Sequence, residues 1–172
     1  MFLSRMVKSL ILPELLVLSI IYSETLPTIN EITKHNPKSL VLLSHLGRPD
    51  GKKIAKMSLK PVADQLSSLL NRKVTFLDDC VGDSIVDQVN RANNEIFLCE
   101  NVRFHPEEEG KYKDDQGNKV KCSKDAVTAF RNNLTKLGNV YVNDAFGTAH
   151  RAHSSVVGIA HKYRVAGLLM QK

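Results

Sequence analysis

The chain has 172 residues, a net charge of +6 and 42% apolar residues. This length fits one domain with a single core. The basic balance, with a pI near 9.3, favours anionic partners: nucleic acid, an acidic membrane surface or a small phosphorylated metabolite. No two cysteines lie close together in the sequence, which argues against a disulfide framework or a zinc ligand set and indicates a reducing compartment. The cysteines are Cys80, Cys99 and Cys122.

An apolar run covers residues 10–22 after a weakly basic start. It resembles the hydrophobic region of a signal peptide, which makes secretion a minor alternative. Pro13 and Glu14 interrupt the run, which is shorter than the ~20 residues of a membrane span, and no small-x-small cleavage signal follows it. We therefore expect a buried strand or helix of the same domain, with residues 15–22 as an inner strand.

From Leu26 onward the pattern alternates regularly between helix and strand. Pro27 is suited to the first turn of a helix that ends before Pro37. The continuous apolar run at 39–44 is typical of a strand covered on both faces. The remaining predicted elements are helices at 59–70, 83–91 and 123–137, and strands at 74–77, 95–99 and 139–143.

The stretch 106–121 is highly charged, holds two glycines and is predicted to be a solvated excursion whose carboxylates are surface charges rather than a metal site. The alternation elsewhere predicts an α/β fold: a three-layer, open, mostly parallel sheet with helices on both faces and right-handed crossovers.

Three strand-like runs are each followed at once by a segment that carries an arginine: Arg48, Arg103 and Arg151. Parallel strands end at one edge of a sheet, where ligands of open α/β sheets bind. Guanidinium groups pair with carboxylate or phosphate through two parallel hydrogen bonds. The three loops therefore predict one anion-binding crevice.

Other groups in these loops suit the same role. Gly47 and Gly147 allow backbone amides to approach an anion, and a helix beginning near Thr148 would direct its positive end there. A small ligand with both a phosphate and a carboxylate would satisfy this arrangement. Three histidines add further donors: His45, His150 and His153.

Each of these residues also has an ordinary structural interpretation. A single arginine after a strand is commonly a surface ion-pairing residue, and a single histidine a hydrogen-bonded structural group. Only His150 and His153 share a segment, so we predict no metal site. Nucleic acid is not expected, because no known binding motif is present, aromatic residues are sparse and basic residues are scattered.

The segments SHLGRPDG, ENVRFHPEEEGK and YVNDAFGTAHRAHSS resemble the amino-terminal domain of phosphoglycerate kinase, over about Leu26 to Met170. The resemblance implies a Rossmann-like domain that binds 3-phosphoglycerate or 1,3-bisphosphoglycerate in a basic patch. It also implies a glycolytic phosphoryl transfer with ATP when two domains close, the carboxyl-terminal domain binding Mg-ATP or Mg-ADP. The expected division is an atypical segment at 1–25 and the amino-terminal domain at 26–172.

By matching motif, the resemblance assigns a set of residues to the substrate site: His45, Leu46, Gly47, Arg48, Arg103, Gly147, Thr148, His150 and Arg151. The family's first strand carries RVDxNVP, which does not occur in residues 1–25. Gapless counting places Ile21 where the family has the arginine that stabilises the transferring phosphoryl group. We therefore assign no catalytic residue and no metal ligand.

The chain ends shortly after a segment similar to the family's GGFLMKKEL, without the nucleotide domain. The resemblance thus predicts a truncated kinase that keeps part of the 3-phosphoglycerate site and is inactive alone. It also implies a cytoplasmic monomer with no membrane contact. The alternatives are a non-catalytic fragment that binds 3-phosphoglycerate or a polyanion and, after it, a basic nucleic-acid-associated protein.

Overall fold

The structure is a computed structural model that describes the backbone of residues 7–11 and 18–171 and the side chains of residues 24–170. The strands are β1 Val7–Ile11, β2 Ser39–Leu43, β3 Val74–Leu77, β4 Glu95–Cys99, β5 Lys111–Lys113, β6 Lys119–Lys121, β7 Val140–Asn143 and β8 Tyr163–Ala166. The α-helices are α1 Leu18–Lys34, α2 Lys60–Leu70, α3 Asp83–Arg91, α4 Lys124–Thr135 and α5 Ser154–Val157.

Six strands form one sheet in the order β3-β4-β2-β1-β7-β8, and every neighbouring pair in it is parallel. Strands β5 and β6 form a separate antiparallel hairpin within the charged stretch 106–121. Helices connect most successive strands of the large sheet, as parallel crossovers require. The predicted α/β class with a mostly parallel sheet is confirmed.

The two faces of the sheet carry two separate cores because side chains alternate along each strand. Leu40 and Leu42 of β2 point to the face covered by α1 and α2, where Ile29 and Leu66 are fully buried. Val41 lies on the opposite face, covered by α3 and α4. The buried residues there include Leu43, Ile85, Val89, Phe97, Phe130, Leu134 and Tyr141. The continuous apolar run at 39–44 is thus explained by burial on both sides.

The inner strand predicted at 15–22 is wrong where it can be compared, because residues 18–22 are helical. Residues 12–17 lie outside the described ranges. The slot between β2 and β7 is filled instead by Val7–Ile11, which pairs with both strands. Because β1 ends at Ile11, the chain between β1 and β2 is long enough to hold the 17-residue helix α1 as the crossover.

The boundaries of two helices bear on the sequence predictions. Pro27 does not open a helix as predicted but lies inside α1, where its missing N–H removes one main-chain hydrogen bond. Ser123 caps α4 as expected, its side chain accepting from the amide of Ala126 at 3.1 Å. In the described part of the chain, no helix combines the length and apolarity needed to cross a bilayer.

Candidate anion-binding site

Strands β2, β4 and β7 end at Leu43, Cys99 and Asn143. Strand β4 pairs with β2, and β1 pairs with both β2 and β7, all in parallel, so these ends lie at one edge of the sheet. We name the segments that follow them the first loop (44–51), the second loop (100–109) and the third loop (144–155). Each carries one of the three predicted arginines. The sheet therefore gathers the three arginine-bearing loops at one edge, as the sequence predicts.

Hydrogen bonds from the second loop hold the first loop in place. The side-chain amide of Asn101 donates from Nδ2 to the carbonyl oxygens of Leu46 at 2.8 Å and Met57 at 3.0 Å. The amide of Val102 donates to the carbonyl of Ser44 at 3.1 Å. These bonds satisfy backbone groups that loops leave unpaired. The backbone around Leu46 is consequently fixed relative to β4.

Glu100 connects the second loop to the start of α2. Its carboxylate accepts from the Ser58 hydroxyl at 2.7 Å, and from the amides of Leu59 at 2.8 Å and Asn101 at 2.7 Å. An acidic group near the first turn of a helix also interacts favourably with the helix dipole. Glu100 thus serves as a structural carboxylate at the base of the site.

Glu108 connects the second loop to the third. Its carboxylate accepts from the amide of Ser155 at 2.9 Å and from the Ser155 hydroxyl at 2.5 Å, while its carbonyl accepts from the amide of Ser154 at 2.9 Å. The Ser154 hydroxyl donates to the carbonyl of Glu107 at 2.7 Å. Glu108 is 1% exposed. The prediction that the carboxylates of 106–121 are all surface charges is therefore wrong at this position.

Burial sets the charges of this junction. It raises the pKa of Glu108 to about 6, although the Ser155 hydrogen bonds and the charge of Arg103 oppose the rise. Burial, followed by the charge of Arg103, lowers the pKa of His153. The Nδ1 of His153 lies 3.8 Å from Oε1 of Glu108, and its Nε2 lies 3.6 Å from Oε1 of Glu109. Two ionisable groups with opposite shifts thus lie side by side.

The predicted site residues divide by exposure. Arg48, Gly147, His150 and Arg151 are exposed, and Leu46 and Gly47 are half-buried. The buried residues of the predicted set are His45, Arg103 and Thr148.

Arg103 is a structural group as well as a cation. Its Nη1 donates to the carbonyl of Gly47 at 2.8 Å, and its Nε lies 3.5 Å from Oε1 of Glu109. The Arg103 side chain is 2% exposed. Of the three arginines, only Arg48 and Arg151 therefore present exposed side chains to solvent.

The helix expected to begin near Thr148 is absent. Residues Phe146–Thr148 form a 3-10 turn, and the next α-helix, α5, begins at Ser154 and has only four residues. The amide of Arg151 donates to the carbonyl of Thr148 at 2.9 Å, which closes a turn and not a helix. The third loop consequently offers exposed side chains to an anion, without a helix dipole.

Sequence reasoning missed the residues that hold the loops together. Asn101, Glu100, Glu108 and Ser155 make the cross-loop hydrogen bonds, and none was singled out. The acidic run at 107–109 resembles a solvated surface, and no periodicity marks its middle residue as buried. A weak signal existed at Asn101, since a polar residue directly after a buried strand must find partners near the sheet edge.

Three potential metal ligands lie near one another at the end of β3. The donor atoms of Asp79, Cys80 and His105 lie within 4.8 Å of one another. The Asp79 carboxylate accounts for this proximity, because its Oδ1 lies 2.6 Å from Nε2 of His105 and also accepts from the amide of Cys80 at 2.7 Å. Burial raises the pKa of the Cys80 thiol, which disfavours the thiolate that metals bind. The hydrogen bond between Asp79 and His105 therefore accounts for the cluster.

A family model described as "Phosphoglycerate kinase" matches residues 21–172. The chain belongs to the phosphoglycerate kinase family. It is 58% identical to a phosphoglycerate kinase of Tetrahymena thermophila over 149 residues, which is 86% of this chain and 36% of that protein. It is 60% identical to one of Neurospora crassa over 148 residues, covering 86% of this chain and 35% of the relative. The chain thus spans little more than a third of these relatives' length.

Solved phosphoglycerate kinases share the fold. The structure from Coxiella burnetii is 28% identical with a TM-score of 0.70, covering 99% of this chain and 41% of that one. The structure from Pyrococcus horikoshii OT3 is 26% identical with a TM-score of 0.72, covering 95% of this chain and 40% of that one. The match of the phosphoglycerate kinase model begins at residue 21, where gapless counting from the sequence predicts the position of the family's transfer arginine. Ile21 lies within α1, and its side chain is outside the described residues.

Proposed function

We propose that this chain binds 3-phosphoglycerate, or 1,3-bisphosphoglycerate, at the sheet edge formed by the three loops. The observation that carries the proposal is the exposure of Arg48 and Arg151 on two loops that both pack against the second loop. Two exposed guanidinium groups on a fixed frame suit a ligand with an anionic group at each end.

The remaining predicted residues have graded roles in this proposal. His150 and Gly147 are exposed beside Arg151 and would contact the ligand directly. Arg103 and His45 are buried. Arg103 would attract the ligand through the electric field of its guanidinium, and His45 would act by holding the backbone of the first loop. Membership in the phosphoglycerate kinase family supports 3-phosphoglycerate as the anion.

The full reaction moves the γ-phosphoryl group of ATP to the carboxylate of 3-phosphoglycerate, which leaves ADP and 1,3-bisphosphoglycerate. We assign no residue of this chain to the magnesium nucleotide, because the motifs matched here are those that the family resemblance connects with phosphoglycerate. Phosphoryl transfer depends on positioning both reactants, a contribution of about 7 to 11 kcal/mol. The purified 172-residue chain should therefore bind without turning over. We further propose that it is a cytoplasmic monomer.

Calorimetric titration of 3-phosphoglycerate into the wild-type chain and an Arg151→Ala variant tests the proposal, at low and moderate salt. We expect saturable binding by the wild type and an affinity about tenfold lower for the variant, the loss of one charge-assisted contact. Arg91→Ala, which removes an exposed arginine of α3, is the matched control and should bind as the wild type does.

Two outcomes would contradict this function. Wild-type chain without saturable binding would overturn it directly. Binding that depends steeply on salt and is equally weakened by Arg91→Ala would indicate a nonspecific polyanion binder. Catalytic inactivity is tested separately with purified chain, 3-phosphoglycerate and Mg-ATP. Formation of 1,3-bisphosphoglycerate above a protein-free blank would show that the chain turns over alone.

A further inference from the structure

We propose that Glu108 is a positioning residue that fixes the Arg151-bearing third loop against the second loop. Three hydrogen bonds between Glu108 and the pair Ser154 and Ser155 carry this inference. The two bonds with Ser155 join positions 47 apart in the sequence, and Glu108 itself is 1% exposed. As a role in ligand binding, the inference rests on the proposed function. As a link between loops, it can be tested without ligand.

The link is built to be specific to this carboxylate. Its two oxygens are used separately, Oε2 by the amide of Ser155 and Oε1 by the Ser155 hydroxyl. A buried carboxylate costs free energy unless such donors satisfy it. If Glu108 loses the donors of the third loop, water can replace them only when the junction between the loops opens. Closing the third loop and satisfying Glu108 are thus one event.

The side chain of Ser154 reinforces the junction. The Ser154 hydroxyl both donates to the carbonyl of Glu107 and accepts from Nε of Arg131 at 3.1 Å, which attaches the third loop to α4. Arg151 stands three residues before Ser154 in a short turn. The hydrogen bonds of Glu108 therefore restrict the position of the exposed Arg151 guanidinium. A shift of about 1 Å in such a group is enough to weaken a fixed ligand contact.

Protonation of Glu108 makes the opening of this junction depend on pH, which packing contacts alone would not do. Opening the third loop hydrates Glu108 and returns its pKa from about 6 toward the ordinary 4.5. A closed state with the higher pKa is favoured at acid pH, so opening becomes easier as pH rises from about 4.5 through about 6 and then levels off, by up to roughly thirtyfold over the whole window.

The charged and titratable groups that face Glu108 come from several elements. His153 contributes the opposite trend, because its lowered pKa makes opening easier as pH falls below 6.5. Comparing wild type with Glu108→Gln separates the two contributions. The groups that influence Glu108 or are influenced by its charge are Arg103, Glu109, Tyr141, His153 and Cys80.

Hydrogen exchange of the folded chain without ligand is the primary test, measured on the amides of residues 150–157 between pH 5 and 8. The intrinsic chemical rates are divided out. We expect Glu108→Ala to speed exchange there by about tenfold or more, because the amide of Ser155 loses its acceptor. Glu107→Gln is the matched control, since the carbonyl that Glu107 contributes is unchanged. In the wild type, opening should rise through pH 6 relative to Glu108→Gln.

The ligand test follows on the same proteins. Glu108→Ala should lower the affinity for 3-phosphoglycerate by about tenfold while Glu107→Gln leaves it unchanged. If Glu108→Ala does not fold, Ser155→Ala, which removes one donor and keeps the carboxylate, should show a smaller loosening. Exchange that is equal in Glu108→Gln, Ser155→Ala and wild type at every pH overturns the inference. If the wild-type chain does not bind 3-phosphoglycerate while the variants still exchange faster than wild type, the proposed function is overturned and the link between the loops stands.

Discussion

Arg103 donates from Nη1 to the carbonyl oxygen of Gly47 at 2.8 Å, a contact between residues 56 positions apart. The bond joins two loops that each carry a predicted ligand-binding arginine. Arg103 is buried beside Glu109, so its charge is neutralised in part, and its Nη1 and Nε both face groups of the protein. Arg103 thus helps to hold the loops together, while Arg48 and Arg151 have exposed side chains on those loops.

Replacing Arg103 should therefore cost stability. We expect Arg103→Ala to lower the free energy of unfolding by about 2 to 4 kcal/mol, because Glu109 and the Gly47 carbonyl lose a buried partner. Arg103→Lys keeps the charge but not the planar fork, and should cost about half as much. Urea denaturation measures both. The exposed Arg91→Ala control should change stability by less than about 0.5 kcal/mol. Equal stability of Arg103→Ala and the control would show that the contact does not stabilise the fold.

The turn that ends the first loop makes a second prediction. Gly51 has φ of +77°, and a Cβ placed there would lie 2.9 Å from Cβ of Pro106. Gly51→Ala should lower the free energy of unfolding by about 2 to 3 kcal/mol, from backbone strain and the clash together.

Gly117→Ala is the matched control for the turn. Gly117 has φ of +82° but open space around its missing Cβ, so its substitution tests strain alone and should cost about 1 kcal/mol. Thermal or urea unfolding of both variants gives the comparison. If Gly51→Ala costs no more than Gly117→Ala, then the close approach of Pro106 does not restrict the first loop.

The sequence predicted the sheet because its inner strands are buried on both faces. Apolar runs such as 39–44 have no helical period, and the helices between them show clear amphipathic spacing. Strand β1 could not be located this way, because residues 10–22 are almost uniformly apolar and contain no period that separates strand from helix. The choice of Val7–Ile11 depends on pairing with β2 and β7, which are distant in sequence.

The place of the three arginines in the fold was predictable from the sequence, and their burial was not. An arginine after a parallel strand must lie near the carboxyl edge of the sheet, which holds for Arg48, Arg103 and Arg151. Whether such a side chain is buried depends on contacts between loops, such as Ser155 with Glu108 across 47 positions. Local composition at 107–109 indicates a charged surface, and only the packed third loop turns Glu108 into an interior residue.

The ion pair beneath the second loop predicts how stability depends on acid. Partial burial opposes ionisation of Asp79, but the hydrogen bond and charge of His105, with help from the amide of Cys80 and from Lys53, hold its pKa well below the ordinary range. A lowered pKa stabilises the fold above the unfolded value near 3.8 and loses that contribution as pH falls below it.

Asp79→Asn should therefore lower the unfolding free energy near pH 7 by about 1 to 3 kcal/mol and flatten its decline below pH 4. Urea denaturation at several pH values measures this difference. Asp78→Asn, at the exposed neighbouring carboxylate, is the control and should keep the wild-type profile. Parallel profiles for Asp79→Asn and wild type would mean that the pair with His105 does not stabilise the folded state.

Arg48 should behave in the opposite way to Arg103, because its side chain is exposed while its loop is held by Asn101. We expect Arg48→Ala to weaken 3-phosphoglycerate binding by about tenfold, with an unfolding free energy within about 0.5 kcal/mol of wild type. Calorimetric titration and urea denaturation of the same preparation measure the two quantities. A loss of stability together with affinity would mean that Arg48 helps to hold the loops together. Unchanged affinity would mean that Arg48 does not contact the ligand. Only a loss of affinity without a loss of stability fits a side chain that binds the ligand and does not stabilise the fold.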